Sequence, residues 1–151
     1  MKISINIRFA EPKDTEDIIS LCLEHADYEQ SEYSKEGKKE PLKDALFGTN
    51  KKLECIVGES NNEIIAYATY MKQYATWDVE EYIYMDCLFV KEFARGLRIG
   101  ERLINKIKEE GRAKGIKLIQ WQTPDFNTRA IKFYRRIGAT SKSKERFFLK
   151  I

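Results

Sequence analysis

The chain has 151 residues, 42% of them apolar and 34% charged, with a formal net charge of +3. A chain of this length and composition can bury a core as one domain, residues 1–151, without disulfides or a structural metal, which excludes a disordered or collagen-like protein. No apolar run reaches the roughly 18 residues of a membrane-spanning helix, and the amino terminus lacks the apolar stretch of a signal peptide, so we expect no membrane association.

Alternating and helical apolar patterns divide the chain into strands and helices. In chain order they predict a strand at 3–9, a helix capped by Asp14 or Thr15, a short helix from Pro41 to about Phe47, strands at 53–58, 63–72 and 82–90, a helix from 96–100 to 111–115, a strand at 116–122, a helix from Asn127 to Gly138 and a last strand at 146–151. A further short strand at 139–143 is left open.

The order of these elements predicts the fold class. Strand 82–90 is apolar on both faces, which favours a central position in the sheet. The hairpins in the middle predict antiparallel pairing, and the strand–helix alternation in the second half predicts parallel pairing. We therefore expect an α/β (α+β mixed) fold, with a mixed, mostly antiparallel twisted sheet of about six or seven strands and about four helices.

Charge is distributed unevenly along the chain. Residues 1–90 carry 10 basic and 18 acidic side chains, whereas residues 91–151 carry 17 basic and 6 acidic ones. The basic half could hold an anionic ligand and the acidic half a cation. The alternative is that the two charge sets only solvate two surfaces. A nucleic-acid binder would need a recognition helix or a stacking aromatic motif, and neither is found.

Cysteine and histidine content also limits the chemistry. Three widely spaced cysteines, Cys22, Cys55 and Cys87, suit a reduced, cytoplasmic protein better than a disulfide scaffold. The single histidine, His25, argues against a histidine-based metal site. A nucleophilic pair of Cys87 and His25 is disfavoured, because a cysteine inside an apolar strand usually packs.

The most informative segment is residues 90–100, where a strand ends in a turn rich in Arg and Gly that leads into an amphipathic helix. Unpaired backbone N–H groups at a helix start, together with the helix dipole, can bind an anion such as a pyrophosphate. Arg95 and Arg98 add positive charge, and the glycines allow close approach. The spacing matches neither the P-loop nor the dinucleotide fingerprint. An ordinary turn with solvated arginines is the alternative.

This segment resembles the acetyl-CoA-binding motif of the GNAT N-acetyltransferase superfamily. Val90, Arg95, Gly96 and Gly100 are in register with that motif, whereas Arg98 stands where the motif has its middle glycine. The departure leaves two possibilities, a Cβ that crowds a pyrophosphate or a guanidinium that adds a phosphate contact.

Two further stretches extend the resemblance over the whole chain. Residues 127–139 (NTRAIKFYRRIGA) are similar to the second signature of the superfamily, and residues 7–18 (IRFAEPKDTEDI) are similar to its first strand and acidic helix start. Within the superfamily the chain most resembles the diamine (spermidine/spermine and thialysine) acetyltransferases. That likeness is carried by Asp27-Tyr28-Glu29 with Glu32, by residues 84–90 and by residues 133–139.

The resemblance implies a reaction and its co-substrate. It implies direct transfer of an acetyl group from acetyl-CoA to a primary amine of a cationic small molecule, without a metal. The expected acceptor is a polyamine or a lysine-like amine. An aminoglycoside or protein amino group is an alternative acceptor, and a non-catalytic acyl-CoA-binding regulatory module is an alternative function. Members of this branch are commonly dimers, so we expect a homodimer that uses the strand at 146–151.

The resemblance also implies site residues. Tyr134 would donate a proton to the CoA sulfur, Asp86 would draw the proton from the amine, and a backbone N–H near Leu88 would polarise the thioester carbonyl. The implied acetyl-CoA-binding residues are Leu88, Phe89, Val90, Arg95, Gly96, Leu97, Arg98, Ile99, Gly100, Glu101, Asn127, Ala130 and Tyr134. Asn127 would also cap its helix.

The acceptor side is expected to be acidic. The implied substrate-binding residues are Tyr28, Glu29, Glu32, Trp77 and Asp86, because carboxylates and aromatic faces suit an ammonium group. Burial of Asp86 in its apolar strand would make it a stronger base. The alternatives are a structural Asp86 bonded to backbone, a Tyr134 that only packs, and solvated loops for the rest.

Overall fold

The computed structural model describes residues 3–151 and shows a five-stranded sheet with order β1–β2–β3–β4–β5. The strands are β1 (Asn6–Phe9), β2 (Glu54–Ser60), β3 (Glu63–Ala75), β4 (Glu80–Val90) and β5 (Ile119–Gln120). The α-helices are α1 (Thr15–Tyr28), α2 (Lys39–Phe47), α3 (Ile99–Ala113) and α4 (Thr128–Arg136). Strands β1 to β4 pair antiparallel and β5 pairs parallel to β4, which confirms the predicted mixed fold.

Two apolar clusters pack on opposite faces of the sheet. Ile18 and Leu21 of α1 and Leu46 of α2 cover one face. Leu103 and Ile107 of α3 cover the other face. Full burial of an aliphatic side chain of this size contributes roughly 1.5–3 kcal/mol, so these two layers fix the helices against the sheet.

Two helix starts differ in detail from the prediction. The side chain of Asp14 does not cap α1, because its carboxylate accepts hydrogen bonds of 2.7 and 3.0 Å from the Arg8 guanidinium. Helix α2 begins at Lys39, two residues before Pro41. Pro41 still lies in the first turn, where the missing N–H costs no helical hydrogen bond.

A β-bulge at Asp86 reverses which residues of β4 face each side of the sheet. Thr69 pairs with Cys87 and Tyr70 pairs with Met85, which leaves Asp86 without a partner. As a result, Met85 packs in the cluster of α3 and Cys87 packs against the cluster of α1 and α2. Asp86 itself is exposed. The predicted burial of this carboxylate is therefore wrong, since a bulged residue leaves the alternation of the strand.

The carboxy-terminal residues form no strand. Residues 139–151 have no regular structure, and Phe148 and Leu149 are 80% and 93% exposed. The predicted strand at 146–151 and the open one at 139–143 are thus not formed, and the sheet has five strands rather than six or seven. An apolar alternation makes a strand only where a neighbouring edge is free to pair over its length.

Within residues 3–151, no helix is long and apolar enough to cross a membrane. In the same part of the chain, no three His, Cys, Asp or Glu side chains gather closely enough to hold a metal ion.

Candidate active site

A gap opens in the sheet between β4 and β5, here called the β4–β5 split. The two strands pair only at Ile83 with Ile119 and at Tyr84 with Gln120, so β5 is shorter than the predicted strand at 116–122. Strand β4 continues to Val90, whereas the chain after Gln120 leaves the sheet. An unpaired strand edge offers free N–H and C=O groups to an extended ligand.

Leu88 and Val90 direct their backbone groups into the β4–β5 split. The N–H of Lys91 donates a 2.9 Å bond to the carbonyl of Ile65 on β3. Because backbone groups alternate in direction along a strand, Phe89 also faces β3, and Leu88 and Val90 face away from it. Of the three residues expected to bind a pantetheine arm through their backbone, two are therefore directed to do so.

Arg98 has a backbone conformation that favours glycine. It precedes the first residue of α3 with φ 61° and ψ 20°, in the left-handed region that is unfavourable for a residue with a Cβ. Its guanidinium donates bonds of 2.9 and 3.1 Å to Glu101, and its side chain is 77% exposed. Arginine in place of the glycine of the family motif thus strains the backbone at residue 98 and adds an exposed ion pair with Glu101.

The rest of the turn is suited to an anion. Gly96 has φ +86°, which glycine tolerates, and no atom lies within 4 Å of where its Cβ would be. A Cβ on Gly100 would lie 3.2 Å from the Phe133 ring, so Gly100 allows α3 and α4 to pack closely. No side chain caps α3, which leaves the N–H groups of its first turn, from Ile99 to Glu101, without helical partners.

Tyr134 lies on α4, packed beside the β4–β5 split. Its ring is 5.1 Å from the Trp121 ring and 5.3 Å from the Phe133 ring. Burial, with the negative charge of Glu29, raises the pKa of Tyr134 well above the ordinary value of a phenol. The hydroxyl therefore keeps its proton at neutral pH and is able to donate it. Ala130, one turn earlier on α4, is half-buried.

Tyr28 and Asn127 join α1 to the segment that leads into α4. The hydroxyl of Tyr28 donates a 2.7 Å bond to Oδ1 of Asn127, and Nδ2 of Asn127 donates a 3.2 Å bond to Thr123. Asn127 is only 9% exposed. Because these contacts occupy its amide, the side chain does not cap α4, and that prediction is wrong.

Arg95 points toward the end of α1. Its guanidinium lies 4.4 Å from the centre of the Tyr28 ring and 5.4 Å from that of Phe89, at cation–π distances. Its Nε donates a 3.0 Å bond to the carbonyl of Val90. The side chain expected to contact a phosphate is thus held against two aromatic faces and the open edge of β4.

Glu29 lies between Tyr134 and His25. Its charge acts on the Tyr134 hydroxyl, and its Oε1 is 3.4 Å from Nε2 of His25. Nδ1 of His25 is 2.8 Å from the Tyr67 hydroxyl, and the His25 ring stacks on Phe89 at 5.2 Å. Sequence reasoning gave His25 no role here. The available signal was its position four residues before Glu29 on the helix.

Three other candidate residues, Glu32, Trp77 and Cys87, contribute less to the site. Glu32 is exposed in the segment after α1. Trp77 is 98% exposed in the β3–β4 turn, and the rise of β4 separates that turn from Asp86 by roughly 20 Å. Burial raises the pKa of the Cys87 thiol to about 12, so it stays protonated and is a poor nucleophile.

The chain is similar to acetyltransferases in sequence and in fold. A family model described as the acetyltransferase (GNAT) family matches residues 18–139. The thialysine N-epsilon-acetyltransferase of Mus musculus is 29% identical over 144 residues, 90% of this chain and 84% of that protein. The D-amino-acid N-acetyltransferase of Saccharomyces cerevisiae is 26% identical over 135 residues, 89% of this chain and 84% of that protein.

The fold is also found among solved structures. An aminoglycoside N-acetyltransferase in complex with CoA has a TM-score of 0.81 to this chain, at 16% identity, with 99% of this chain and 97% of the other covered. At that identity the likeness shows the fold alone.

Proposed function

The chain belongs to the GNAT family of acetyltransferases and is an acyltransferase, and we propose that it transfers the acetyl group of acetyl-CoA to a primary amine of a small cationic molecule. A lysine-like amine or a polyamine is the leading acceptor. The observation that carries this proposal is that Tyr134, whose ring lies 5.1 Å from that of Trp121 just after β5, sits where the edge of β4 is left unpaired.

The residues around the split fit acetyl-CoA. The backbone groups of Leu88 and the N–H of Val90 suit the amides of a pantetheine arm, whereas the Val90 carbonyl already accepts a hydrogen bond from Arg95. The uncapped start of α3, preceded by Gly96 and Leu97, suits a pyrophosphate. Acetyl-CoA supplies an acyl group that is activated as a thioester. All other groups that take part in the proposed reaction, apart from the amine and solvent, belong to side chains or backbone of this chain.

The proposed transfer forms a C–N bond and breaks a C–S bond. The Tyr134 hydroxyl gives its proton to the leaving sulfur and recovers one from solvent. The N–H of Leu88 polarises the carbonyl under attack. The ammonium group first gives one proton to Asp86, whose exposed position at the bulge lets it pass the proton on to water, and the nitrogen releases a second proton to water after it has attacked the carbonyl. No covalent intermediate on the protein is required.

The acceptor side of the split is acidic and aromatic. Glu29 and Asp86 supply carboxylates, and Tyr28, which precedes Glu29 in the sequence, supplies an aromatic ring that already contacts the Arg95 guanidinium. Carboxylates and aromatic faces of this kind attract an ammonium group. The similarity to enzymes named for thialysine and D-amino acids supports an acceptor of amino-acid size. Glu32 adds negative charge nearby, and Trp77 is left out of the proposed acceptor site.

The exposed carboxy-terminal segment supports the proposal of a homodimer. Phe147 and Leu149 are 90% and 93% exposed, and an apolar stretch of this kind marks a contact surface. A second copy of the chain is the proposed occupant, because each copy presents the same exposed apolar segment and a two-fold interface pairs identical surfaces.

The test combines binding and turnover. Calorimetry measures acetyl-CoA binding, and a thiol reagent follows CoA release with spermidine, spermine, putrescine, thialysine, an aminoglycoside and a lysine peptide. We expect binding, and turnover with the small cationic amines. Absence of acetyl-CoA binding would contradict the assignment of the turn, and binding without turnover on any amine would favour a non-catalytic acyl-CoA-binding module.

A pair of glycine variants controls this test. Gly96→Ala and Gly115→Ala both place a Cβ at a positive φ, of 86° and 71°, with open space around it. We expect a similar stability loss of roughly 1 kcal/mol in each. Only Gly96→Ala should weaken acetyl-CoA binding, because Gly115 lies after the far end of α3. Equal binding by the two variants would place the anion site elsewhere.

A further inference from the structure

The only histidine of the chain is held on both ring nitrogens beside the acceptor site. Nδ1 of His25 is 2.8 Å from the hydroxyl of Tyr67, and Nε2 is 3.4 Å from Oε1 of Glu29. The ring stacks on Phe89, and its side chain is 14% exposed. The proposed acetyl transfer uses none of these contacts, so they call for a separate explanation.

The two neighbours of His25, Tyr67 and Glu29, together favour one tautomer of the imidazole. Tyr67 is 1% exposed, and burial raises its pKa far above the ordinary value, so its hydroxyl stays protonated. The lone pairs of the Glu29 carboxylate, whose Oε1 lies 3.4 Å from Nε2, favour the tautomer with the imidazole proton on Nε2. In that tautomer the Tyr67 hydroxyl donates to Nδ1 of His25. The other tautomer would set two lone pairs against each other across 3.4 Å.

The charges that face His25 come from three segments besides Tyr67 on β3. Glu29, which follows α1, and Asp86 on β4 favour the imidazolium, whereas Arg95 in the turn before α3 disfavours it. Burial is the largest effect, and it lowers the pKa of His25 below its ordinary value. The imidazole is thus neutral at neutral pH. Below that pKa an imidazolium would pair with Glu29 and repel an ammonium group.

We propose that His25 is a positioning residue of the acceptor site, which orients the Glu29 carboxylate and, as a neutral imidazole, leaves that carboxylate free to bind the ammonium group of the acceptor. This inference rests on the proposed function, because that function assigns Glu29 to the acceptor. It adds a specificity consequence: acceptors with more positive charge lose more affinity when His25 becomes protonated.

The first test uses nuclear magnetic resonance and needs no turnover. In protein without a histidine tag, His25 gives the only imidazole signals, and their nitrogen shifts report tautomer and pKa. We expect the Nε2–H tautomer and a lowered pKa, and spermidine should lower that pKa further by linkage. Glu29→Gln should also lower the pKa and abolish the effect of spermidine. The Nδ1–H tautomer, or a titration that neither spermidine nor Glu29→Gln alters, would overturn the proposal.

The matched control for that variant is Glu24→Gln, on the same helix. The carboxylate of Glu24 pairs with Lys91 at 3.7 Å, whereas the ring nitrogens of His25 contact Tyr67 and Glu29. We expect Glu24→Gln to leave both the His25 pKa and its response to spermidine unchanged. If Glu24→Gln shifted the pKa as much as Glu29→Gln, the effect would be one of overall charge, and the specific pair would be refuted.

The second test measures kinetics. His25→Gln keeps an amide donor for Glu29 but cannot be protonated, so we expect a near-normal amine KM at pH 7.5 that no longer rises toward pH 5.5. His25→Leu should raise the amine KM about tenfold, by roughly 1.4 kcal/mol, and leave the acetyl-CoA KM unchanged. An amine KM that rises at acid pH in His25→Gln as in the parent would refute the role of His25.

These readouts separate two failures. If spermidine shifts the His25 signals but no acetyl transfer occurs, the reaction is wrong and the acceptor site stands. If acetyl transfer occurs and His25 responds to neither spermidine nor the Glu29 variant, the inference about His25 fails alone.

Discussion

The hydroxyl of Tyr28 donates a 2.7 Å hydrogen bond to Oδ1 of Asn127, which lies 99 residues later in the sequence. Tyr28 ends α1 and packs near Phe89 of β4, whereas Asn127 immediately precedes α4, the helix of Tyr134. The bond therefore connects the acidic side of the site to the helix that carries the proposed proton donor.

Tyr28→Phe tests this connection. The variant leaves a buried amide oxygen without its donor, so we expect a stability loss of about 1 kcal/mol in urea unfolding and a lower kcat/KM. Tyr82→Phe is the control, because it removes an exposed bond of 2.7 Å to Gln73. We expect the control to retain both stability and activity. Equal effects of the two variants would refute a special role for the bond.

Tyr134→Phe tests the proton donor. We expect kcat to fall by about 10²–10⁴-fold, with acetyl-CoA affinity in calorimetry nearly unchanged because the ring still packs against Trp121 and Phe133. Tyr74→Phe, at a residue that is 59% exposed, is the control and should be neutral. Unchanged kcat in Tyr134→Phe would remove the acid role.

The pH dependence of the parent enzyme gives a second check on Tyr134. Its pKa is raised, so the hydroxyl remains protonated as the pH rises from 7 to 9. We expect no loss of kcat from this group over that range. A fall in kcat that is present in the parent and absent from Tyr134→Phe would contradict this account.

Arg98 allows backbone strain and charge to be separated. Arg98→Gly removes the Cβ at φ 61° and the guanidinium together, whereas Arg98→Ala removes the guanidinium alone. We expect Arg98→Gly to unfold at a temperature about 2–4 °C above Arg98→Ala, measured by calorimetry. The difference in acetyl-CoA affinity between Arg98→Gly and Arg98→Ala then measures the effect of the Cβ on binding. The difference between Arg98→Ala and the parent measures the effect of the guanidinium. Equal unfolding temperatures would mean that the turn carries no strain.

The carboxy-terminal segment tests the proposed homodimer. Changing Phe147 and Leu149 together to Asp should convert a dimer to a monomer in light scattering, because charge disfavours burial in a second copy. Val79→Asp, at another apolar residue that is 70% exposed, should remain a dimer. A parent chain that is monomeric, or a double variant that is still dimeric, would contradict the proposal.

The sequence predicted most of the fold because its strongest patterns are local. Apolar alternation located β1, apolar runs bounded by turn residues located β2 to β4, and helical spacing with glycine signals located α3 and α4. The strand at 146–151 was predicted from a similar apolar run and is absent. A strand also needs an edge to pair with, and β5, at the end of the sheet, is only two residues long.

The sequence predicted which residues belong to the candidate site better than it predicted how they are arranged in space. Tyr28, Glu29 and Tyr134 were named from the family resemblance, and the hydrogen bond from Tyr28 to Asn127 joins the end of α1 to the segment that leads into the helix of Tyr134. The bulge that exposes Asp86 follows from cross-strand register, which apolar patterning on both faces of a strand does not encode. His25 was set aside, because its contact with Tyr67 joins residues distant in sequence.

Analysis of the acetylated product tests the central claim most directly. The chain is incubated with acetyl-CoA and either spermidine or thialysine, and mass spectrometry of the amine is compared with the free thiol released. The account predicts one acetylated amine for each thiol, with both lost in Tyr134→Phe. Release of thiol without an acetylated amine, or no reaction with either acceptor, would contradict it.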